Sequence, residues 1–220
     1  MGTIKKGLTT KEKILVAARK FFYKYGYANT KINMITIETG ISRTLINYHF
    51  SSKEELLIQV MKDYLDEIYT FVDEHVTDDP LMKYCVFYDL YYANWVSDDK
   101  MKTFLIEVLE RDNRVLATYM NFDIIYRGIL KQFRSPLNDR ERLLKEVAIF
   151  GANREFILNY TKGVITIPYD QFLENIIRNG CILLGIKNIT INDYLKKYAV
   201  VSKNLDSSHL KFYRGSKYGK

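Results

Sequence analysis

The sequence predicts an all-α fold, with an N-terminal three-helix unit followed by a larger helical domain. Three observations predict it. Apolar residues recur at spacings of three and four along nearly the whole chain, and no alternating pattern outcompetes them. Proline is scarce, 3 in 220 residues, so long helices can run uninterrupted. Serine, threonine and glycine cut residues 9–53 into short capped pieces, whereas the pieces beyond are longer. The units that follow are 1–52, 53–203 and a basic, Ser/Gly/Lys-rich tail, 204–220, which reads as disordered.

Residues 9–25 read as the first amphipathic helix. Thr9 and Glu12 fit a capping box, Ile14, Ala18, Phe21, Phe22 and Tyr25 keep helical spacing, and Gly26 ends the run. Thr30 caps a second helix, 31–39, whose apolar residues are Ile32, Ile35 and Ile37, and Gly40 stops it. Ser42 caps a third, 43–49. Ser52 and Glu55 form another capping box and open a long helix, 53–76, striped by Leu56, Val60, Tyr64, Ile68 and Phe71 among others. Further helices are predicted near 80–97, 99–112, 114–134, 139–162, 168–186 and 191–203.

Two short helices joined by a tight turn containing glycine, the second starting at Ser42, spell a helix-turn-helix, whose second helix enters a DNA major groove. At about 100° per residue, Arg43, Thr44, Asn47 and Tyr48 share an arc of about 140°, with Leu45 and Ile46 turned toward the first two helices. Arg suits guanine O6/N7, Asn suits adenine N6/N7 and a Thr methyl suits the thymine methyl, so these four are the candidate base readers. Tyr48 is open between a base edge and the sugar–phosphate. Thr30, Lys31, Ser42, His49 and Lys53 lie at the rims as candidate phosphate contacts, with helix N-termini at 30, 42 and 52 adding backbone amides. His49 is open between phosphate contact and a capping role. Lys53 opposes the dipole at a helix start, a local penalty that fits phosphate contact. Charge agrees with this reading. Residues 1–53 carry ten Lys and Arg against two acids, while the rest of the chain is close to balanced.

The stretch "ILVAARKFFYKYGYANTKINMITIETGISRTLINYHFSSKEELL" resembles the amino-terminal domain of the tetracycline-repressor (TetR) family of bacterial transcription regulators. The resemblance spans roughly residues 9–60. It rests on the aromatic-rich first helix, Gly26-Tyr27, Thr30, Gly40-Ile41-Ser42-Arg43, and the aromatic run into Phe50 followed by Ser52-Lys53-Glu54-Glu55-Leu56. It departs at Thr36, where the family has a small residue, and at Asn47, where the family has Tyr. The resemblance implies a homodimer on a near-palindromic double-stranded DNA operator and a helical second domain that dimerises and often holds a small-molecule pocket.

Helix 84–96 presents Tyr84, Phe87, Tyr88, Tyr91, Tyr92 and Trp95 on one arc, with Asp89 and Asn94 as polar exceptions. This is either a Tyr-rich core or the wall of a pocket for a small hydrophobic or aromatic effector. The candidate pocket set is Tyr88, Asp89, Tyr91, Tyr92, Asn94 and Trp95, joined by Tyr119, Phe122 and Tyr126 from the 114–134 helix. For dimerisation, helices 139–162 and 168–186 are favoured, with Val147, Phe150, Gly151, Ile176, Gly180, Leu183 and Leu184. Mid-helix glycine costs about 1 kcal/mol against alanine, which close approach of another helix would explain.

An enzyme is not expected. The three histidines, 49, 75 and 209, are scattered, and no phosphate-binding glycine loop or G-x-S-x-G occurs. No cofactor or metal is expected. Cys85 and Cys181 sit in apolar helical patterns and read as reduced, buried thiols. With no secretory or membrane-spanning pattern, the expected location is the cytoplasm. The function expected is a dimeric, sequence-specific transcription repressor released by an effector. The alternative is an architectural or cell-cycle DNA-binding protein on the same scaffold without an effector. A membrane-surface protein is disfavoured, because the basic residues sit on a capped helix-turn-helix.

Overall fold

The computed structural model describes residues 8–213 except 77, 97 and 112–121; nothing is described of the Phe122 and Asp123 side chains. Among these residues there are ten helices. They are α1 Thr10–Asn29, α2 Ile32–Thr39, α3 Arg43–His49, α4 Lys53–His75, α5 Pro80–Val96, α6 Asp99–Glu110, α7 Phe122–Gln132, α8 Asp139–Thr161, α9 Tyr169–Leu183 and α10 Asn188–Lys203. No helix among them is long and apolar enough to cross a membrane.

Local sequence explains most of the boundaries. Thr9 accepts from Glu12 N and Glu12 Oε2 accepts from Thr9 N at 2.7 Å, so the predicted capping box closes. Gly26 takes φ 75° and breaks the helix, but a further turn carries on to Asn29. The predicted box at Ser52 is only half formed. Ser52 caps Glu55 N, while the Glu55 carboxylate turns to Ser51 N at 2.7 Å. Thr30 does not cap α2. It is fully buried, and its hydroxyl donates to Gly26 O at 2.7 Å. Lys31 takes the N-cap position without a side-chain cap. At α9, Pro168 stands one residue before the helix.

α5 is the axis of the second domain, buried on nearly all sides, as a helix apolar on both faces should be. α4, α7, α9 and α10 surround it, and α6 runs between α1 and the body. α9 crosses α5 at Gly180. A Cβ built there would lie 1.8 Å from Tyr84 Oη, so Gly180 is explained by close approach within the chain. Among the described residues that hydroxyl makes no hydrogen bond of acceptable geometry, and the ring is locked against Tyr88 at 4.7 Å. Gly180→Ala should therefore destabilise by roughly 1–2 kcal/mol, overpacking outweighing the gain in helix propensity. Tyr84→Phe should be near neutral, since only an unpartnered hydroxyl is lost. Combining the two should recover most of the lost stability in urea melts, and a double mutant no better than Gly180→Ala would refute this account.

The segment after α10 corrects the sequence reading. Residues 204–213 were expected to be disordered, yet they fold back as a strap. Leu210 and Phe212 are buried, and Phe212 sits 5.2 Å from both Tyr64 and Phe104 and 5.9 Å from Trp95. Arg19 of α1 donates to Phe212 O and also grips Glu67 of α4 with two bonds, one of 3.0 Å. Residues 214–220 of the expected tail lie outside the described residues.

Candidate nucleic-acid interface and the cavity behind it

α3 is a seven-residue helix with one fully buried side chain, Ile46, and an outer face of polar residues. Ser42 caps it by accepting from Leu45 N at 3.2 Å, and Phe50 closes it with N–H to Ile46 O at 2.9 Å. Ahead of it, Gly40 ends α2 in the left-handed region at φ 68° and donates to Thr36 O, making the tight turn the motif needs. Thr36 disposes of its extra hydroxyl on Ile32 O at 3.2 Å, so the departure at that position is absorbed locally.

Arg43, Thr44, Asn47 and Tyr48 are all exposed on one face, Tyr48 at 82%. Arg43 makes no ion pair among the described residues. His49 is half-buried beside Tyr48 and Phe50. Leu45, expected to point inward, is 40% exposed, and Ile37 of α2 is 75% exposed. Both therefore extend the outer surface with apolar atoms of the kind that meet thymine methyls.

The rim divides. Lys31 and Ser42 are exposed. Thr30 faces inward, as above, and its hydroxyl is committed to the chain. Lys53 is half-buried, donating to Tyr27 O at 2.8 Å and Thr30 O at 2.9 Å, and its ammonium sits 4.2 Å over the Tyr27 ring. Burial lowers its pKa. Its unfavourable place at a helix start is thus offset by carbonyls at the end of α1. The basic excess shrinks similarly. Arg19 pairs with Glu67, Lys20 with Glu38, and Lys53 is tied to backbone. Lys11, Lys13, Lys24, Lys31 and Arg43 remain exposed.

Behind this unit, α6 holds α1 at three points. The Glu107 carboxylate accepts from Ala28 N at 3.0 Å and fills the space a side chain at Gly26 would take. Tyr23 donates to Asp98 at 2.5 Å, and Phe104 stacks on Phe22 at 5.8 Å. The opposite side of α6, through Leu105 and Leu109, lines a small cavity of about 20 Å³ shared with α5 and α8. That is room for about one water.

Of the pocket set expected from sequence, Tyr88, Tyr91 and Tyr92 line this cavity. Burial pushes the Tyr88 phenol up to about 12 and raises Tyr91 and Tyr92 as well, so the wall is uncharged at neutral pH. Tyr126 stands one step back, its hydroxyl 3.0 Å from that of Tyr88. Three residues belong elsewhere. Asp89 accepts from Tyr169 at 3.1 Å on the α9 side, Asn94 donates to Leu90 O, and Trp95 is fully buried between Tyr64, Phe104 and Phe212. Tyr119 and the Phe122 side chain lie outside the described residues.

The residues that sequence reading missed are on α8. Asn153 and Arg154 line the cavity with Phe150 and Ile157. Arg154 donates to Leu109 O at 2.9 and 2.5 Å, a cation at the end of α6 where the dipole favours it. Asn153 is 3% exposed, and among the described residues neither its Nδ2 nor its Oδ1 has a hydrogen-bond partner. The Tyr88 hydroxyl is near enough to feel this amide but is engaged by Tyr126, and no bond of acceptable geometry forms. A signal was present: Asn153 lies four residues from Ile149 and from Ile157, both fully buried, so a polar residue interrupts an inward stripe.

The dimer set also divides. Val147 and Gly151 are exposed and Phe150 and Leu183 partly so, whereas Ile176, Gly180 and Leu184 are buried within the chain and cannot meet a partner as placed. α8 carries two distinct faces. Arg142, Glu146 and Asn153 face inward with Ile149 and Ile157, while Leu143, Leu144 and Val147 are 56–64% exposed.

Residues 14–60 match the description "Bacterial regulatory proteins, tetR family". Over 56 residues the chain is 41% identical to an HTH-type transcriptional regulator in the lacX 3' region of Lactococcus lactis subsp. lactis, covering 26% of this chain and 29% of that protein. It is 39% identical over 56 residues to the HTH-type transcriptional regulator RutR of Escherichia coli (strain K12), covering 26% of each. The matched stretch thus spans under a third of either relative. The whole fold is similar to that of RolR without ligand, with a TM-score of 0.60 at 18% identity over 84% of this chain and 95% of that one. RolR in complex with resorcinol gives 0.61 at 18% identity over 86% and 93%. The fatty acid degradation regulator FadR from Bacillus halodurans gives 0.51 at 19% identity over 82% and 97%. The amino-terminal residues 14–60 thus carry the sequence pattern of the bacterial regulatory proteins of the tetR family, on a fold similar to that of RolR.

Proposed function

We propose that the chain is a homodimeric, sequence-specific DNA-binding repressor that a small hydrophobic or aromatic effector releases from a near-palindromic operator. The observation that carries this reading is the outer face of α3, where Arg43, Thr44, Asn47 and Tyr48 are exposed over a single buried anchor, Ile46. Lys31, Ser42 and His49 flank that face as phosphate contacts. Two such helices in a two-fold dimer must lie one DNA turn apart, about 34–36 Å.

α6 links a cavity to that spacing. Leu105 and Leu109 line the cavity while Glu107 and Phe104 hold α1. A ligand that widens the cavity moves α6, and α1 and α3 with it. The response is set by the ligand's differential affinity for the two arrangements. The resorcinol bound by RolR, on a similar fold, is of a size and chemistry that a tyrosine wall suits.

A titration of the protein against DNA from upstream of its own gene, across a salt series, tests the reading. Binding should exceed that to a scrambled fragment, and Arg43→Ala should weaken it about 5- to 150-fold, the range of one bidentate base contact. Equal, strongly salt-dependent binding to both fragments would refute sequence readout there. The architectural alternative gains from one observation, that the cavity holds about one water. It predicts no small molecule that changes DNA affinity.

A further inference from the structure

We propose that the Asn153 carboxamide is the polar anchor of the effector cavity, selecting a small, uncharged ring compound whose hydroxyl or carboxamide both donates and accepts a hydrogen bond. This rests on the effector reading above and specifies its ligand. Asn153 is only 3% exposed, and among the described residues both amide atoms lack a hydrogen bond of acceptable geometry. Each such group is desolvated without a compensating bond, which costs folding free energy. A leucine of nearly the same volume would avoid it, so the amide is best explained by a partner that the chain does not supply.

The lining specifies the rest. Tyr88, Tyr91, Tyr92 and Phe150 offer ring faces and edges, which favour a planar guest. Among the described residues no carboxylate lines the cavity, so there a cation would be desolvated without a counter-charge. The one cation among them, Arg154, is committed to Leu109 O, so a carboxylate would have to compete with a helix end for it. Phe150 and Arg154 are only half-buried, whereas the tyrosines are buried. The rim facing solvent is therefore where the cavity can open from water size to ring size.

The test is isothermal titration of the full-length protein with phenol, benzamide, toluene, benzoate and benzylammonium, followed in parallel by the fluorescence of Trp95, the single tryptophan, whose ring lies 5.8 Å from Tyr91. Phenol and benzamide should bind at least about tenfold more tightly than toluene, as two net hydrogen bonds allow, and more tightly than either ion. Asn153→Leu should bring phenol down to the level of toluene while leaving the melting temperature unchanged or higher and effector-free DNA affinity intact. If Asn153→Leu does not fold, Asn153→Ser provides the same contrast with an intermediate loss. Toluene binding as well as phenol, an Asn153→Leu protein that keeps the tenfold preference, or no phenol binding at its solubility limit (a cavity that takes water only) would overturn the proposal. Phenol bound through Asn153 without loss of DNA affinity would instead refute the effector reading alone. DNA release by phenol that survives Asn153→Leu would uphold that reading and sink the anchor.

Discussion

Replacing Leu144 and Val147 together by aspartate should leave a folded chain that sediments as a monomer and binds an operator about 10²–10⁴-fold more weakly, the advantage that two linked half-sites confer. The reasoning starts from the inverted face of α8. A surface helix ordinarily buries its apolar stripe and exposes its polar one. Here Arg142, Glu146 and Asn153 are turned into the chain while Leu143, Leu144 and Val147 are turned out. Leaving those three side chains in water forgoes about 1.5–3 kcal/mol each, and a two-fold interface would recover it twice. Gly151, with nothing within 4 Å of a built Cβ, lets a second backbone come close, and Ile182 of α9, 50% exposed, extends the patch. Because the two replaced residues are already 63% and 64% exposed, aspartate there should cost the single chain little. A dimer that persists in sedimentation velocity at micromolar concentration would show that this face is not the interface.

Phe212→Ala should cost about 3–5 kcal/mol, the range for truncating a buried aromatic ring, and lower the melting temperature by roughly 6–20 °C for a chain of this size. Phe212 is 2% exposed and touches three helices of the second domain, at Tyr64 of α4, Trp95 of α5 and Phe104 of α6. Its carbonyl and its ring both engage Arg19 of α1, the ring at 5.1 Å from the guanidinium carbon. Removing the ring should therefore loosen α1 as well as the core. DNA affinity should fall in step with stability, and a chain ending at Asn204 should behave like the point mutant. A melting temperature within a degree or two of wild type would mean that the strap lies on the surface without bracing it.

The helix-turn-helix was legible because its signals are local: a capping serine three residues before the amide it caps, a glycine where φ must be positive, and an arc of polar residues over one isoleucine. What escaped was set by partners distant in sequence. Ten basic residues could be counted, but not that Arg19 would be taken by Glu67 or Lys53 by carbonyls of α1. Gly180 could be read as a point of close approach, but not that Tyr84 of the same chain would fill it. The aromatic arc of α5 was visible, yet periodicity cannot say which of its rings face a cavity and which face Trp95's neighbours. The tail looks disordered by composition, since Ser, Lys and Gly outweigh its leucines and single phenylalanine. Leu210 and Phe212 nevertheless find a place already shaped for them.

The strap also sets an order of events during synthesis. Arg19 and Phe212 are 193 residues apart, and a ribosome adding about 5–20 residues per second needs roughly 10–40 s to travel from one to the other. For the later part of that interval the amino-terminal unit is out of the tunnel and free to form its own three helices, but the aromatic wedge that braces α1 against α4, α5 and α6 has not been made. A nascent chain would therefore carry an unbraced helix-turn-helix until residue 212 has been delivered.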